Sequence, residues 1–433
     1  MNILFISKDL TGITLACKLA EEGNIIKIFD IDNCWGKKIK RPLIKFISNW
    51  ENELSWVGKK GLIIFDYSGM GEIQDRLREK GFSVFGSSGL GEKVEDNRQY
   101  GQKIFSVLNI PIKPSKDFYN IDKMIFFLRN NKGKWVVKQN GNFDKTLNYV
   151  GNLDSAEDSI SILKRYKKIL NKDNIYFDMQ EKIDGVEIAF GRYFNGTEWV
   201  GPICMNVEHK GLFNNNLGPK GEEMGSLVWY DEKENKFFKE VLEKMTPFLK
   251  KTNYKGYFDI NCIVNESGAY PLESTSRLAY PTTQAQMSLV TSPLGEFFKA
   301  LADGKKYDLK FKKGYAVLVF IGTPPYPYKN NSIYNSPDGL EIYFKNFSKE
   351  KLQDIYFEEV SIFENSKRKV YKICSKSGYI AHIVGVGKTI KKARENVYEN
   401  IKNIVIPKMF YRTDIGLKFE KEDMKKLRKW GWL

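Results

Sequence analysis

The stretch Gly256-Tyr257-Phe258-Asp259-Ile260-Asn261-Cys262-Ile263-Val264, followed after a turn by Tyr270-Pro271-Leu272-Glu273-Ser274-Thr275-Ser276-Arg277, carries the densest chemistry in the chain. Both segments have the apolar, β-branched character of strands. Adjacent strands would each present one acid, Asp259 and Glu273, to a common face. Hard cations such as Mg²⁺ take oxygen ligands and are held by one or two carboxylates together with substrate phosphates, so this pair suits a metal that accompanies ATP. Arg277 would then meet a transferring phosphoryl group or an acyl phosphate and stabilise the charge that develops on it. The same residues also admit a plain structural reading, as strand-end acids paired with nearby lysines.

Upstream, Trp135-Val136-Val137-Lys138 ends an apolar strand on a lysine, placed as a phosphate-binding lysine of a nucleotide lobe would be, although such a lysine is often simply solvated. Met179-Gln180-Glu181-Lys182-Ile183-Asp184-Gly185-Val186-Glu187 runs from a strand through a hinge into another strand. The backbone of such a hinge can hydrogen-bond an adenine edge while a carboxylate takes the ribose hydroxyls. An ordinary acidic hairpin with an Asp-Gly turn is the alternative. His209 and His382, the only histidines, are read as structural or loop residues, because phosphoryl chemistry of this kind needs no group titrating near neutral pH.

These residues need elements to position them. The 433 residues exceed what one hydrophobic core usually serves, so several packed units around clefts are expected. Residues 3–6, 25–30, 62–66 and 82–85 read as strands, with helices over 11–22 and 71–80 between them: alternation toward a parallel sheet in a unit of residues 1–112. A small lobe over 113–185 follows, with a helix at 121–130, a strand ending at Lys138 and a lysine-rich helix at 155–170. Residues 186–325 form a second α+β lobe with strands at 187–194, 198–206, 256–264 and 269–274, a long polar loop from Glu208 to Gly225 and a helix at 233–251. The proline cluster after Gly322 punctuates the chain, and a last unit, 326–433, carries strands near 370 and 380 and a helix at 389–404.

The formal charge of +16 would suit a polyanion, but the lysines are spread along the chain rather than clustered, so nucleic acid is not the favoured partner and a small polyanion such as ATP accounts for them as well. Five cysteines, far apart and never as Cys-x-x-Cys, argue against a disulfide framework or a zinc site and fit a reducing cytoplasm. No apolar run of membrane-spanning length occurs, so no membrane partner is expected. Asp30 and Asp32 after the second strand would suit a dinucleotide ribose, yet the preceding turn, Ser7-Lys8-Asp9-Leu10-Thr11-Gly12, lacks the G-x-G-x-x-G fingerprint, so a structural sheet or a pocket for another ligand is preferred.

The order lysine, hinge acids, paired acids, arginine resembles the ATP-grasp enzymes, and throughout its length the chain resembles one family of them, the phosphoribosylamine–glycine ligases. Phe85-Gly86-Ser87-Ser88, Val94-Glu95-Asp96-Asn97-Arg98 and Asn109-Ile110-Pro111 are similar to that family's entry into its ATP-binding part, with Arg98 standing where the family has a phosphate-contacting lysine. Ile183 to Glu187 matches its hinge. Glu208-His209-Lys210, Leu217-Gly218-Pro219 and Met224-Gly225 match its substrate loop, and Tyr411-Arg412-Thr413-Asp414-Ile415-Gly416 matches its C-terminal signature almost letter for letter. Departures fall elsewhere. The family's glycine-rich first turn is Ser7 to Gly12, its T-G-G-M-G is Gly221-Glu222-Glu223-Met224-Gly225, its phosphate flap is Asn140 to Lys145, its arginine signature continues as Leu278-Ala279-Tyr280-Pro281-Thr282-Thr283-Gln284, and its metal-binding asparagine is Thr275. Groups for nucleotide and metal are mostly kept; groups for the amine and glycine substrates are altered.

The resemblance implies an ATP-grasp fold, α/β and α+β multidomain, with an N-terminal parallel α/β (pre-ATP-grasp) domain and a small C-terminal α+β domain. It implies a carboxylate–amine ligase using ATP with Mg²⁺, or Mn²⁺ in its place: the carboxylate takes the γ-phosphate, an amine attacks the acyl phosphate, and ADP and phosphate leave. By the same resemblance Lys138 and Arg98 hold phosphates, Glu181, Ile183 and Glu187 the adenosine, Asp259, Glu273 and Thr275 the metal, Arg277 the reacting phosphoryl group, and Lys210, Gly218, Pro219, Met224 and Gly225 the substrates. The partners implied are glycine or another amino acid and an amine acceptor, for a monomer or homodimer. Closure of the lobe at 113–185 would exclude water from the acyl phosphate. A ligase with a different acceptor, serving nucleotide or nucleic-acid modification, and a non-catalytic ATP-binding relative are the alternatives.

Overall fold

The computed structural model describes residues 1–32, 39–139, 147–170, 176–328, 336–345, 348–364 and 369–433, apart from the side chains of 349, 350 and 364. Strands Asn2–Ser7, Ile25–Asp30, Ile44–Ile47, Leu62–Phe65 and Val84–Phe85 pair in parallel as one five-stranded sheet, with Asn2–Ser7 at its centre between Ile25–Asp30 and Leu62–Phe65. A central parallel strand is covered on both faces and reads as a continuous apolar run; Ile3, Leu4, Phe5 and Ile6 are accordingly all fully buried. The strand Ile44–Ile47 is absent from the sequence reading because Lys45 interrupts a run too short to show a period. The chain reverses its direction of travel across the sheet at the central strand, which leaves a crevice between the carboxyl ends of Asn2–Ser7 and Leu62–Phe65.

The small lobe is a four-stranded antiparallel sheet of Ser115–Phe118, Phe177–Glu181, Trp135–Gln139 and Tyr149–Val150. Helices Ile121–Asn130 and Glu157–Ile169 pack on it around a core of its own that includes Met124, Leu128, Val137, Leu163, Phe177 and Met179. Asn120 caps the first helix, its side-chain oxygen accepting from the Lys123 amide.

The largest sheet has eight strands in the order Gly268–Thr275, Lys255–Asn265, Val186–Asn195, Trp199–Glu208, Gly225–Asp231, Tyr315–Gly322, Tyr379–Gly387 and Ile355–Phe357. The last two lie beyond residue 325, so one continuous sheet runs across the boundary expected there: Tyr315–Gly322 pairs along its length with Tyr379–Gly387. A further four-stranded sheet, Val360–Glu364, Lys369–Ile373, Glu341–Phe344 and Ile404–Val405, and the helix Ile390–Lys402 complete the C-terminal part.

The Tyr411–Gly416 signature has a structural task. Arg412, fully buried, makes a two-pronged pair with Asp414, Nε to Oδ1 and Nη2 to Oδ2 at 2.8 Å each, and its Nη1 donates to the Gly211 carbonyl at 2.9 Å and to Asn216 Oδ1 at 2.6 Å. The Asn215 amide donates to Asp414, and Asn214 exchanges hydrogen bonds with Thr413. The Gly416 amide donates to His209 Nε2 at 3.2 Å. Burial, with Arg412 close by, brings His209 down to about 4, so the ring is a neutral acceptor at physiological pH. This knot anchors the loop that leads from Lys210. Breaking a buried ion pair from one side strands the other charge, so Arg412→Ala is expected to cost about 3 to 5 kcal/mol in urea unfolding. It should also speed amide hydrogen exchange over residues 209–216, whereas Lys392→Ala, at an exposed pair, should leave both unchanged.

Candidate active site

Directly opposite residues of antiparallel strands project to the same face. In the large sheet Asp259 lies opposite Thr275 and Gly191, and Asn261 opposite Glu273 and Ala189. Ala189 in turn lies opposite Asn206. Alternation therefore gathers Glu187, Asn206, Glu208, Asp259, Asn261, Glu273 and Thr275 on one face of four neighbouring strands. The loop after Trp199–Glu208 swings Lys210 over that face. Its ammonium lies 2.9 Å from Glu208, 3.2 Å from Glu273 and 3.9 Å from Glu187. Burial alone would lower this lysine, but the three glutamates overcome it and hold Lys210 well above its ordinary value. Asn261 Nδ2 donates to Glu187 Oε1 at 3.0 Å. Glu187 and Glu273 are about half exposed, so they line an open cleft.

Asp259 sits deeper. Only 3 % exposed, it takes a hydrogen bond from the Tyr257 hydroxyl at 3.3 Å, and burial with the charge of Glu208 pushes it up to about 8. Glu223, one of the two acids that replace the family's T-G-G, turns inward and is buried; desolvation and Glu208 raise it well above the usual carboxylate range. Glu223 Oε1, Asn261 Oδ1 and Asn206 Oδ1 are buried and have no hydrogen-bond partner among the described residues.

Cations reach the cleft from three sides. Lys138 stands on the small-lobe strand Trp135–Gln139, and its ammonium is brought down to about 8 by burial and by Arg98 beside it, against the pull of Asp178, Glu273 and Glu187. Arg98 opens the helix Arg98–Val107 and ties the lobes together: it bonds Asp178 at 3.2 Å and Gln180 at 3.4 Å in the small lobe, and the Leu272 carbonyl at 2.6 Å in the large one. Leu272 can be reached because the strand pair is irregular there, Asn261 facing Glu273 but Cys262 facing Pro271. Arg277 bonds Glu95 at 3.0 Å, and the Ser276 amide and hydroxyl hold the other oxygen of the same carboxylate. Glu95 thus aims Arg277.

The structure brings Arg98, Lys138, Glu187, Lys210, Asp259, Glu273, Thr275 and Arg277 to one cleft between the lobes. Glu181 is exposed at the end of Phe177–Glu181, opposite Trp135, and Ile183 is half-buried in the hinge. Gly185 is required there by close approach, since a Cβ would meet the Val264 carbonyl at 2.5 Å. Gly218 and Pro219 lie farther out on the hairpin-like loop, where Leu212 and Phe213 bond back to Pro219 and Leu217. Met224 is fully buried against Leu212 and Phe320, and Gly225 opens the strand Gly225–Asp231, so both serve to seat the loop. The flap Asn140 to Lys145 lies outside the described residues. Asn261, Glu223 and Glu95 belong to the site and escaped the sequence reading as site residues; the alternation Asp259-x-Asn261 was the available signal for the first.

The donors suit a hard cation. Among the described residues no three His, Cys, Asp or Glu side chains could hold a metal by themselves. Glu273 and Asp259 with the partnerless Asn261 oxygen offer an incomplete oxygen set of the kind that substrate phosphates complete.

The architecture is that of the ATP-grasp fold. Residues 317–418 match the family described as phosphoribosylglycinamide synthetase, C domain. A phosphoribosylamine–glycine ligase of Corynebacterium ammoniagenes is 27 % identical over 249 residues, a match spanning 55 % of this chain and 54 % of that protein, about half of each. The Fusobacterium nucleatum phosphoribosylamine–glycine ligase is 22 % identical over 441 residues, covering 96 % of this chain and 98 % of that one. The crystal structure of the phosphoribosylamine–glycine ligase of Thermotoga maritima superposes with a TM-score of 0.70 at 19 % identity, covering 96 % of this chain and 100 % of the other, which establishes the fold. In sequence the chain is similar to the phosphoribosylamine–glycine ligases, and in fold to the Thermotoga maritima enzyme. No described helix is long and apolar enough to cross a membrane.

Because Lys138 titrates near 8, ATP affinity is expected to fall as pH rises through that value, the ammonium that meets phosphate becoming neutral. Metal-free fluorescent-nucleotide titrations from about pH 7 to about pH 9 should show the break, and Lys138→Arg should reduce it, since a guanidinium stays charged throughout while Asp259, also raised to about 8, still titrates.

Proposed function

We propose that the chain is an ATP-dependent carboxylate–amine ligase, similar in reaction to the phosphoribosylamine–glycine ligases, which forms an amide through an acyl phosphate and releases ADP and phosphate. The observation that carries this reading is the gathering, on one sheet face under the small lobe, of acids suited to a phosphate-bound cation with cations suited to the phosphates themselves.

In this reading adenosine lies along the hinge Glu181–Glu187, with the Glu187 carboxylate toward the ribose, and Lys138 reaches the phosphates from the small lobe. Arg98, bonded to both lobes, sets their separation and adds positive potential. Glu273, Asp259 and Asn261, with Thr275 beside them, would hold Mg²⁺, which when bound neutralises phosphate charge. Arg277, aimed by Glu95, stabilises the phosphoryl group as the substrate carboxylate takes it. The amine nitrogen then attacks the acyl carbon and the C–O bond to phosphate breaks, with phosphate leaving and the nitrogen giving up its proton. The residues act by position and charge, as phosphoryl transfer requires, without a covalent enzyme intermediate. A cytoplasmic setting, with its pool of reduced thiols and Mg-ATP, suits this role. Glycine is the carboxylate that the family likeness names first.

Glu273→Gln keeps the shape of the side chain and removes its charge. It is expected to lower Mg-dependent ADP formation by about a hundredfold or more, with far-UV circular dichroism and the thermal midpoint retained. Wild-type turnover in this variant would remove the site assignment.

A further inference from the structure

The two helices of the small lobe pack on the sheet face that carries Val137 and Met179, so strand alternation turns Lys138, Asp178 and Gln180 to the other face, toward the cleft. The outer side of the helices is therefore the back of the lobe, away from the nucleotide site. An open groove of about 600 Å³ runs there between Ile121–Asn130 and Glu157–Ile169. Ile125, buried, and Phe126, exposed, give it an apolar strip; Lys123, Arg129, Lys164 and Lys167 line its sides, with Asp122 on the first turn of the leading helix.

Several lysines on the other helices find an acid one turn away, as Lys236 does with Glu240, Lys299 with Asp303 and Lys392 with Glu395. In the groove Lys167 is paired with Asp122 at 2.7 Å, but among the described residues Lys123, Arg129 and Lys164 have no acidic partner. Three like charges so placed draw anions to this face. Aromatic rings stand among them. Phe126 is 70 % exposed, and Tyr119, just before the helix cap Asn120, is 67 % exposed and stacks on Tyr176 with ring centroids 4.7 Å apart and planes 5° from parallel. Phe126 lies about 9 Å along the helix axis from that cap, at ~1.5 Å per residue, a span of roughly three nucleotides at ~3.4 Å each. Rings that project from a surface offer flat faces for bases, whereas the apolar side chains of an acidic peptide need an enclosed pocket to fill.

We infer that the back of the small lobe binds a single-stranded nucleic acid, its phosphates on Lys123, Arg129 and Lys164 while one base stacks on Phe126 and another on Tyr119. The inference goes beyond the ligase reading and stands on separate residues. Along the sequence the lysines look dispersed; these cations converge only because two helices, one carrying positions 123 and 129 and the other position 164, pack side by side.

The test uses the full-length chain with fluorescein-labelled oligouridylate and oligothymidylate of about 12 nucleotides, followed by fluorescence anisotropy. At least one is expected to bind, and the tighter of the two identifies the strand as RNA or DNA. The logarithm of the association constant should fall against that of the salt concentration with a slope of about −2, three phosphates contributing ~0.7 each. Phe126→Ala should weaken binding roughly tenfold, as loss of a stacked base does, and Lys164→Ala should make the slope shallower by about 0.7. Both side chains are exposed and outside the cleft, so Mg-ATP binding and the thermal midpoint should stay at the wild-type level. Binding of neither oligonucleotide, or binding that Phe126→Ala leaves unchanged, would overturn the inference. Tighter binding of a labelled oligoglutamate of equal charge would overturn it too, and would assign the groove to an acidic protein segment. The ligase reading stands or falls separately, on Mg-ATP turnover.

Discussion

Carboxylates crowded onto one face of a β-sheet repel one another, and this molecule depends on how that repulsion is relieved. Glu187, Glu208 and Glu273 share one ammonium, that of Lys210, with Asp259 and Glu223 buried close by and pushed toward their neutral forms. A cation brought in with ATP phosphates would share or take over the work of Lys210, so the resting ion pairs and the loaded site are alternative solutions to one electrostatic problem. The need to place that lysine accounts for features remote from it. Its loop is held by the Arg412–Asp414 knot, and the loop's buried end is seated by Met224 and Gly225.

The same logic orders the lobes. The small lobe contributes Lys138 and the hinge, the large lobe the acids, and the helix Arg98–Val107 joins them through an arginine that bonds both. Where the family has a lysine, a guanidinium offers a planar fork able to span a carboxylate and a carbonyl at once.

Much of this was legible in the sequence because it rests on local patterns. The run Ile3 to Ile6, the β-branched strands flanking the hinge and the paired strands ending in Glu273 and Arg277 announce buried sheet by composition and period. The strand Ile44–Ile47 did not, being short and lysine-interrupted, nor did the continuity of the large sheet past residue 325, since pairing between Tyr315–Gly322 and Tyr379–Gly387 leaves no local mark. Site residues divide in the same way. Glu273 and Arg277 could be found from type and spacing, whereas Glu95 acquires its role from a partner 182 positions away. Glu223 was visible only as a departure from the family's loop, and its inward turn is a property of the packed hairpin.

The most direct test of the account is to trap the acyl phosphate. With Mg-ATP, glycine and hydroxylamine in place of the amine acceptor, the chain should yield the hydroxamate and ADP in equal amounts, and neither product should form when the carboxylate is left out. Tight Mg-ATP binding accompanied by no carboxylate-dependent ADP release, across a panel of amino acids, would contradict it.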